Sequence, residues 1–222
     1  MKLVVYALWG ADKKYTVGAI KNATINLEIY PDFISRFYVD ALVPKTVLYE
    51  LEEIKNTEVI YKNVIGDWRF SLNRFLPFAD PTIEYFLSRD CDSRCTPRER
   101  AAVNEWILSN KTFHIMRDHP FHGGFPILAG LFGSKGGIIS SVKKMIDSSS
   151  LPDSYHSDQV FLQEYIFPLI RNSVLEHDEI FTKKPFPTLR NGLEFVGEVF
   201  DENEQNTLQH RHRLQTYLEK NG

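Results

Sequence analysis

The sequence predicts an α/β protein with three layers, a mostly parallel central sheet flanked by helices on both faces. Three observations carry this expectation. Short β-favouring apolar runs alternate with helix-period segments along most of the chain. The first of these runs is continuously apolar, as a strand buried on both faces must be. The 222 residues are 43% apolar and 25% charged, enough to bury a sizeable core, with one large domain (1–222) as the default.

The elements follow in order. Residues 2–9 read as the first strand, ended by Gly10, and not as a signal peptide, because the run is short and lacks a small-residue cleavage site. A helix is expected over 16–30, stopped at Pro31, then a strand over 34–39. Residues 44–54 suit a helix with Pro44 near its first turn, and 58–64 a strand. The aromatic stretch 68–78 suits a short helix packed on the sheet, and 82–88 a clear strand. Thr96-Pro97-Arg98-Glu99 has the form of a capping box with proline at the first helical position. Its helix runs on through Trp106, and 112–116 returns as a strand. Residues 157–170 form a strongly periodic helix, 174–176 and 195–200 are short strands, and a polar amphipathic tail helix starts at 206. The chain would divide at about 95 and 205, into segments 1–95 and 96–205 and a helical tail over 206–222.

Charge and cysteine content exclude several classes. With 26 basic and 29 acidic residues the net charge is −3, so a general polyanion binder is not expected and no nucleic-acid partner is predicted. Cys91 and Cys95 cannot staple a chain of this size, and their spacing fits neither a zinc pair nor a redox pair. A reducing, cytoplasmic compartment is expected. No stretch of about 18 apolar residues occurs, so no membrane span is expected.

In parallel sheets ligands bind at the carboxyl ends of strands. Two predicted strands end in acidic residues, Asp90 with Asp92, and Asp118. Two carboxylates two residues apart can converge on one hard cation, Mg²⁺ or Mn²⁺, and Thr96 already fills the capping role. Arg89 and Arg94 flank the pair and suit a diphosphate. The glycines from Gly130 to Gly137 do not match G-x-x-x-x-G-K-S/T, which disfavours a P-loop; they either admit a ligand to the backbone or simply turn the chain. Ser157 or Asp158 can cap the helix that starts there, or Asp158 and Gln159 can project into the cleft toward sugar hydroxyls. His177 is a candidate third metal ligand, Lys183 and Lys184 suit phosphate, and His210 with His212 reads as a solvated face. No serine-hydrolase elbow or His-Glu-x-x-His is present.

The blocks 86–94, 96–106 and Arg117-Asp118-His119-Pro120 together resemble the small nucleotide-sugar glycosyltransferases of GT-A fold, of the chlorella-virus type with bacterial relatives. The resemblance runs from Tyr6 to about Phe200 and is most specific at Arg89-Asp90-Cys91-Asp92-Ser93-Arg94. It implies a UDP-sugar donor, with Asp90 and Asp92 holding Mn²⁺ or Mg²⁺ on the diphosphate. Ala7, Leu8, Trp9 and Tyr15 would line the nucleoside site, Arg74 would sit near base and ribose, and Arg89 nearer ribose and phosphates. Asp158-Gln159 is similar to the Asp-Gln pair of retaining galactosyltransferases of this fold, and His177 with Lys183 and Lys184 to their late metal and phosphate element, at a different spacing. The expected activity is therefore metal-dependent sugar transfer to a glycan or glycoprotein acceptor. Asp118 and Asp158 are the choices for orienting the sugar. Retention would place Asp158 or Gln159 beneath the anomeric carbon; inversion would make Asp118 or Asp158 the base. The Asp-Gln resemblance favours retention. The rival readings are a metal-dependent phosphohydrolase, which needs more clustered carboxylates than this chain shows, and a non-catalytic sugar-binding module.

Overall fold

The computed structural model describes residues 1–221, so Gly222 of the expected tail lies outside the described residues. One seven-stranded sheet has the order β3-β2-β1-β4-β6-β5-β7. Its strands are β1 (Lys2–Leu8), β2 (Ile34–Val39), β3 (Thr57–Tyr61), β4 (Tyr85–Ser88), β5 (Phe113–Arg117), β6 (Phe132–Lys135) and β7 (Val174–Asp178). All neighbours are parallel except at β6, which runs antiparallel to both β4 and β5. Helices α1 (Lys13–Ile29), α2 (Lys45–Glu53) and α3 (Pro97–Leu108) pack with one apolar core. The opposite core holds a 3-10 segment (Trp68–Ala79), α4 (Val142–Ser148), α5 (Ser157–Phe161) and α6 (Phe167–Ile170). Helix α7 (Leu208–Asn221) closes the chain, anchored by fully buried Leu214.

Chain direction around β1 creates the site. From β1 the chain crosses to β2 and β3 on one side, while β4 lies on the other side, parallel to β1. The carboxyl ends of β1 and β4 therefore open side by side at the point where strand order reverses, and a crevice forms there. Antiparallel β6 brings its beginning to the same end, because Phe132 pairs with Ser88 at the tip of β4.

Several elements depart from expectation. Thr82 to Glu84 are not strand, because the Asp80 carboxylate accepts the Thr82 N–H at 2.9 Å and its hydroxyl at 2.6 Å, turning the chain before β4. The glycine-rich segment is largely β6, where bare Gly133 admits the Trp106 ring. The run 157–170 is helical but broken by a π turn, Leu162–Ile166. Pro168 follows it, and its missing N–H and bulky ring forbid the α-helical bond to the carbonyl four residues back. Residues 195–200 join no sheet; they make single bridges, Ser93 to Val199 and Phe200 to Asn206. Thr96 does cap α3, accepting the Glu99 N–H at 3.2 Å, but the Glu99 carboxylate turns inward to Arg89 and Tyr30 and leaves the box half formed. Pro44 caps α2 from outside its first turn, and α4 was not anticipated.

Among the described residues no helix is long and apolar enough to cross a membrane.

Candidate active site

A cleft of about 810 Å³ opens at the carboxyl ends of β1 and β4. Strand alternation decides which residues of β1 reach it. Ala7 and Trp9 face the cleft, whereas Leu8 points to the other side and is buried in the core under α1 and α2. Leu8 is thus corrected from a nucleoside contact to a packing residue.

The loop after β4 supplies the carboxylates. Asp90 and Asp92 both line the cleft. The loop is held tightly from two sides. Phe200 N–H donates to the Asp92 carbonyl at 2.8 Å, and Asn22 of α1 donates to the Cys91 carbonyl at 3.0 Å. Gly18 of α1 lies so close that a Cβ there would overlap the Cys91 carbonyl. The Asp90 side chain is 46% exposed and accepts from Arg74; that of Asp92 is 13% exposed and accepts from Lys14 Nζ at 2.6 Å. Burial, and then the neighbouring Asp90 charge, push the Asp92 carboxyl above the usual carboxylate range, with Lys14 opposing them.

Arg74 reaches the cleft from the 3-10 segment. Its buried guanidinium donates to both Asp90 and Asp158, joining the β4 loop to the start of α5. Asp158 also accepts the Gln159 N–H at 2.8 Å, within the first turn of α5, while lining the cleft. Ser157 caps nothing; its hydroxyl donates to the Pro152 carbonyl. Gln159 lines the cleft, but its amide is engaged. The carbonyl oxygen accepts from Ala129 N–H, and Nε2 donates to the Ile127 carbonyl at 2.9 Å. It positions the segment before β6.

That segment ends at Gly130, whose missing side chain makes room for a carboxylate. A Cβ there would overlap the Asp90 carboxylate. Gly130→Ala should therefore displace a mobile side chain and not backbone. The expected result is an unfolding temperature within a few degrees of wild type and at least tenfold weaker binding of Mn²⁺ and UDP, the pair of ligands proposed below for this cleft, read by calorimetry. Unchanged binding would show that the position of Asp90 is immaterial.

Aromatic side chains form the rim. Trp9 meets Trp68 edge-on at 5.2 Å, Trp68 meets Tyr155 at 5.2 Å, and Tyr155 meets His156 at 4.1 Å. Trp68 and Tyr155 stay exposed, and Tyr15 lines the same wall. Such faces suit stacking against a base. His156 holds a left-handed backbone (φ 79°), which marks strain beside the cleft. Buried Asp40 ties the rim loops together, accepting N–H bonds from Gly10, Leu42, Val43 and Gly66 at 2.9–3.2 Å. The other end of the cleft is lined by His119, Phe121, His122, Phe195 and His210.

Four further sequence candidates do not line the cleft and are corrected. Asp118 is fully buried and fully engaged: Arg98 donates at 3.1 Å, Arg190 at 2.6 Å and Val196 N–H at 2.9 Å. Its partners tie β5 to α3 and to the segment before Val196, away from the cleft lining. Arg89 is buried with its Nε on Glu99 at 2.8 Å and its Nη1 on the Ser88 and Phe132 carbonyls. His177 is buried against His114, ring nitrogens 2.7 Å apart, with Glu105 at 3.5 Å, and joins no carboxylate of the β4 loop. Lys183 donates to the Tyr217 hydroxyl at 2.7 Å on the surface. Lys14, Trp68, Tyr155 and His210 were missed as site residues. Trp68, Tyr155 and His210 line the cleft and Lys14 reaches its edge through Asp92, and nothing in the local sequence of any of them points there.

The histidine end has a consequence for stability. His119 accepts the Phe121 N–H at 3.0 Å and donates to the His210 carbonyl at 2.9 Å, while His122 accepts the Asp118 N–H at 3.0 Å. Burial pushes His119 down to about 4, and burial together with His119 pushes His122 down to about 3, from an ordinary 6.5. Between those values and 6.5 the unfolded chain binds more protons, so stability is full above pH 6.5 and falls on acidification. The loss should reach roughly 2 kcal/mol per histidine by pH 5. Urea midpoints at pH 7.5 and pH 5 test this; equal midpoints would mean that neither ring is held neutral.

The donor set fits a divalent ion. Two hard carboxylates line the cleft, and burial followed by repulsion from Asp90 raises the proton affinity of Asp92. The four lining carboxylates, Asp12, Asp90, Asp92 and Asp158, outnumber the one lining arginine, Arg74. Among the described residues no third His, Cys, Asp or Glu joins the pair. Phosphate and water oxygens would complete the coordination of such an ion.

No protein-family model and no curated protein matches the chain. Solved structures share its fold. The chain is similar to the glycosyltransferase involved in glycosylation of the major capsid of PBCV-1, with a TM-score of 0.51 and 17% identity over 80% of this chain and 81% of that one. It is similar to 4-diphosphocytidyl-2C-methyl-D-erythritol synthase from Anaerococcus prevotii, with a TM-score of 0.54 and 13% identity over 86% and 91%. It is also similar to a mannosyltransferase from Pyrobaculum calidifontis in complex with GDP-Man and Mn²⁺, with a TM-score of 0.51 and 11% identity over 82% of this chain and 58% of that one. At these identities the likeness is one of fold, that of GT-A glycosyltransferases and nucleotidyltransferases.

Proposed function

We propose that the protein is a metal-dependent glycosyltransferase that takes a sugar from a UDP-sugar and passes it to a glycan acceptor, with retention at the anomeric carbon. The observation that carries the reading is the convergence of Asp90, Asp92, Arg74 and Asp158 in one cleft at the strand-order switch. The fold is shared with a viral capsid glycosyltransferase and a mannosyltransferase, which supports the class.

Each group has a role that its surroundings permit. Trp9, Tyr15, Trp68 and Tyr155 form the wall for the uracil ring and ribose. Asp90 and Asp92 would hold Mn²⁺ or Mg²⁺. That ion, when bound, stabilises the charge that develops on the leaving diphosphate. Arg74 fixes Asp90 and Asp158 relative to one another, so the metal-binding and sugar-binding carboxylates keep one geometry. Asp158 orients the donor sugar and faces the anomeric carbon, while Gln159 holds the Ala129 backbone behind it. A nucleotidyltransferase, which the Anaerococcus neighbour represents, must bind a triphosphate. The excess of carboxylates over cations in this cleft favours the less charged diphosphate carried with a divalent ion.

Incubation with Mn²⁺ and a panel of UDP-, GDP- and CDP-sugars, with release of nucleoside diphosphate followed by chromatography, tests the reading. Slow hydrolysis of one UDP-sugar, abolished by EDTA, is expected. Release of pyrophosphate from a nucleoside triphosphate and a sugar phosphate, with no donor hydrolysis, would replace it with nucleotidyl transfer.

A further inference from the structure

Lys14 pairs with one of the two carboxylates proposed for the divalent ion. It is the second residue of α1, and its backbone N–H donates to the Asp12 cap at 2.9 Å. Its Nζ lies 2.6 Å from Asp92 Oδ2 and 5.3 Å from the Tyr15 ring centre, and the side chain is 32% exposed. Both carboxylates of the loop are thus paired with a cation of the chain, but the two cations differ. Arg74 is buried and shared by Asp90 and Asp158, so its displacement would strand two carboxylates. Lys14 has one carboxylate partner, a flexible stem and a route to water. An ammonium at hydrogen-bond distance from Asp92 repels any divalent ion at the same oxygens. A diphosphate arriving with that ion carries the negative charge that a compact lysine ammonium binds well.

We propose that Lys14 is an exchangeable counter-ion of the site, neutralising Asp92 before the metal binds and moving to the donor's diphosphate when it does. The inference rests on the metal-dependent reading above. It predicts effects of opposite sign on two affinities. Lys14→Met removes the competitor, so Mn²⁺ alone should bind about three- to tenfold more tightly. The same change removes a phosphate contact, so UDP at saturating Mn²⁺ should bind about three- to tenfold more weakly. A lysine that only braces the fold would leave both affinities unmoved or weaken both together.

The test is a Mn²⁺ titration read by electron paramagnetic resonance and a UDP titration by calorimetry at saturating Mn²⁺. It uses wild type, Lys14→Met, Lys14→Gln and the neighbouring exposed Lys13→Met, each checked for native circular dichroism. The expected result is opposite shifts in Lys14→Met and Lys14→Gln, with Lys13→Met within twofold of wild type. Shifts of the same sign in the folded neutral variants, or none beyond twofold, while wild type binds both ligands, overturn the exchange alone. Absence of Mn²⁺ and UDP binding by wild type overturns the metal-dependent reading and the exchange with it.

Discussion

Asp92→Asn should abolish sugar transfer and donor hydrolysis, a loss of at least about 10³-fold, while the protein keeps its native fold. Removing one electrostatic partner of a developing negative charge costs about 3–4 kcal/mol, and here the substitution also weakens the hold on the ion itself. The fold should survive, because the loop is anchored by backbone groups that asparagine leaves in place, the Phe200 N–H on the Asp92 carbonyl and Asn22 on the Cys91 carbonyl. Asparagine also removes the repulsion from Asp90. Calorimetric unfolding should match wild type within a few degrees, and UDP should no longer bind in a Mn²⁺-dependent way. Retained turnover would remove Asp92 from the metal site.

Glu99→Ala should have the largest effect on stability, about 3–5 kcal/mol, because it leaves the Arg89 guanidinium buried without its counter-charge. Arg89 and Glu99 are each 1% exposed, and Glu99 also accepts the Tyr30 hydroxyl at 2.7 Å. For a chain of this length each kcal/mol corresponds to roughly 2–4 °C, so the unfolding temperature should fall by at least about 6 °C. UDP affinity below the transition should stay within a few-fold of wild type. The companion Arg89→Met, Glu99→Met double variant should recover much of the loss, since an apolar pair strands no charge. A fall in nucleotide affinity without loss of stability would return Arg89 to the role the sequence suggested, at the ribose and phosphates.

That contrast shows where sequence reasoning works on this chain. The strand and helix alternation is legible because β1 is an almost continuous apolar run and the other parallel strands are short β-favouring segments between helix-period crossovers. Asp90 and Asp92 are legible because a strand of a parallel sheet delivers its last residues to the cleft. Asp118 follows a strand in the same way, yet Arg98, Arg190 and the Val196 N–H, distant in sequence, surround it. A local pattern cannot separate a carboxylate left lining a cleft from one enclosed by arginines and backbone. Leu8 failed on alternation, since neighbours in a strand face opposite layers. Strand β6 is hidden because, after Phe132, Gly133-Ser134-Lys135 has no β-favouring side chain; the space under Trp106 selects glycine there. Lys14, Trp68 and Tyr155 come from three separate elements, and nothing local in any one of them announces the others.

The central claim is that Asp90 and Asp92 grip a divalent ion through which the donor's diphosphate is held. Calorimetric titration of UDP into the wild-type protein, once with Mn²⁺ and once with EDTA, tests it most directly. Binding that appears only with Mn²⁺, and vanishes in Asp92→Asn, is the predicted result. Equal affinity in EDTA, or heat of binding that survives Asp92→Asn unchanged, would contradict it.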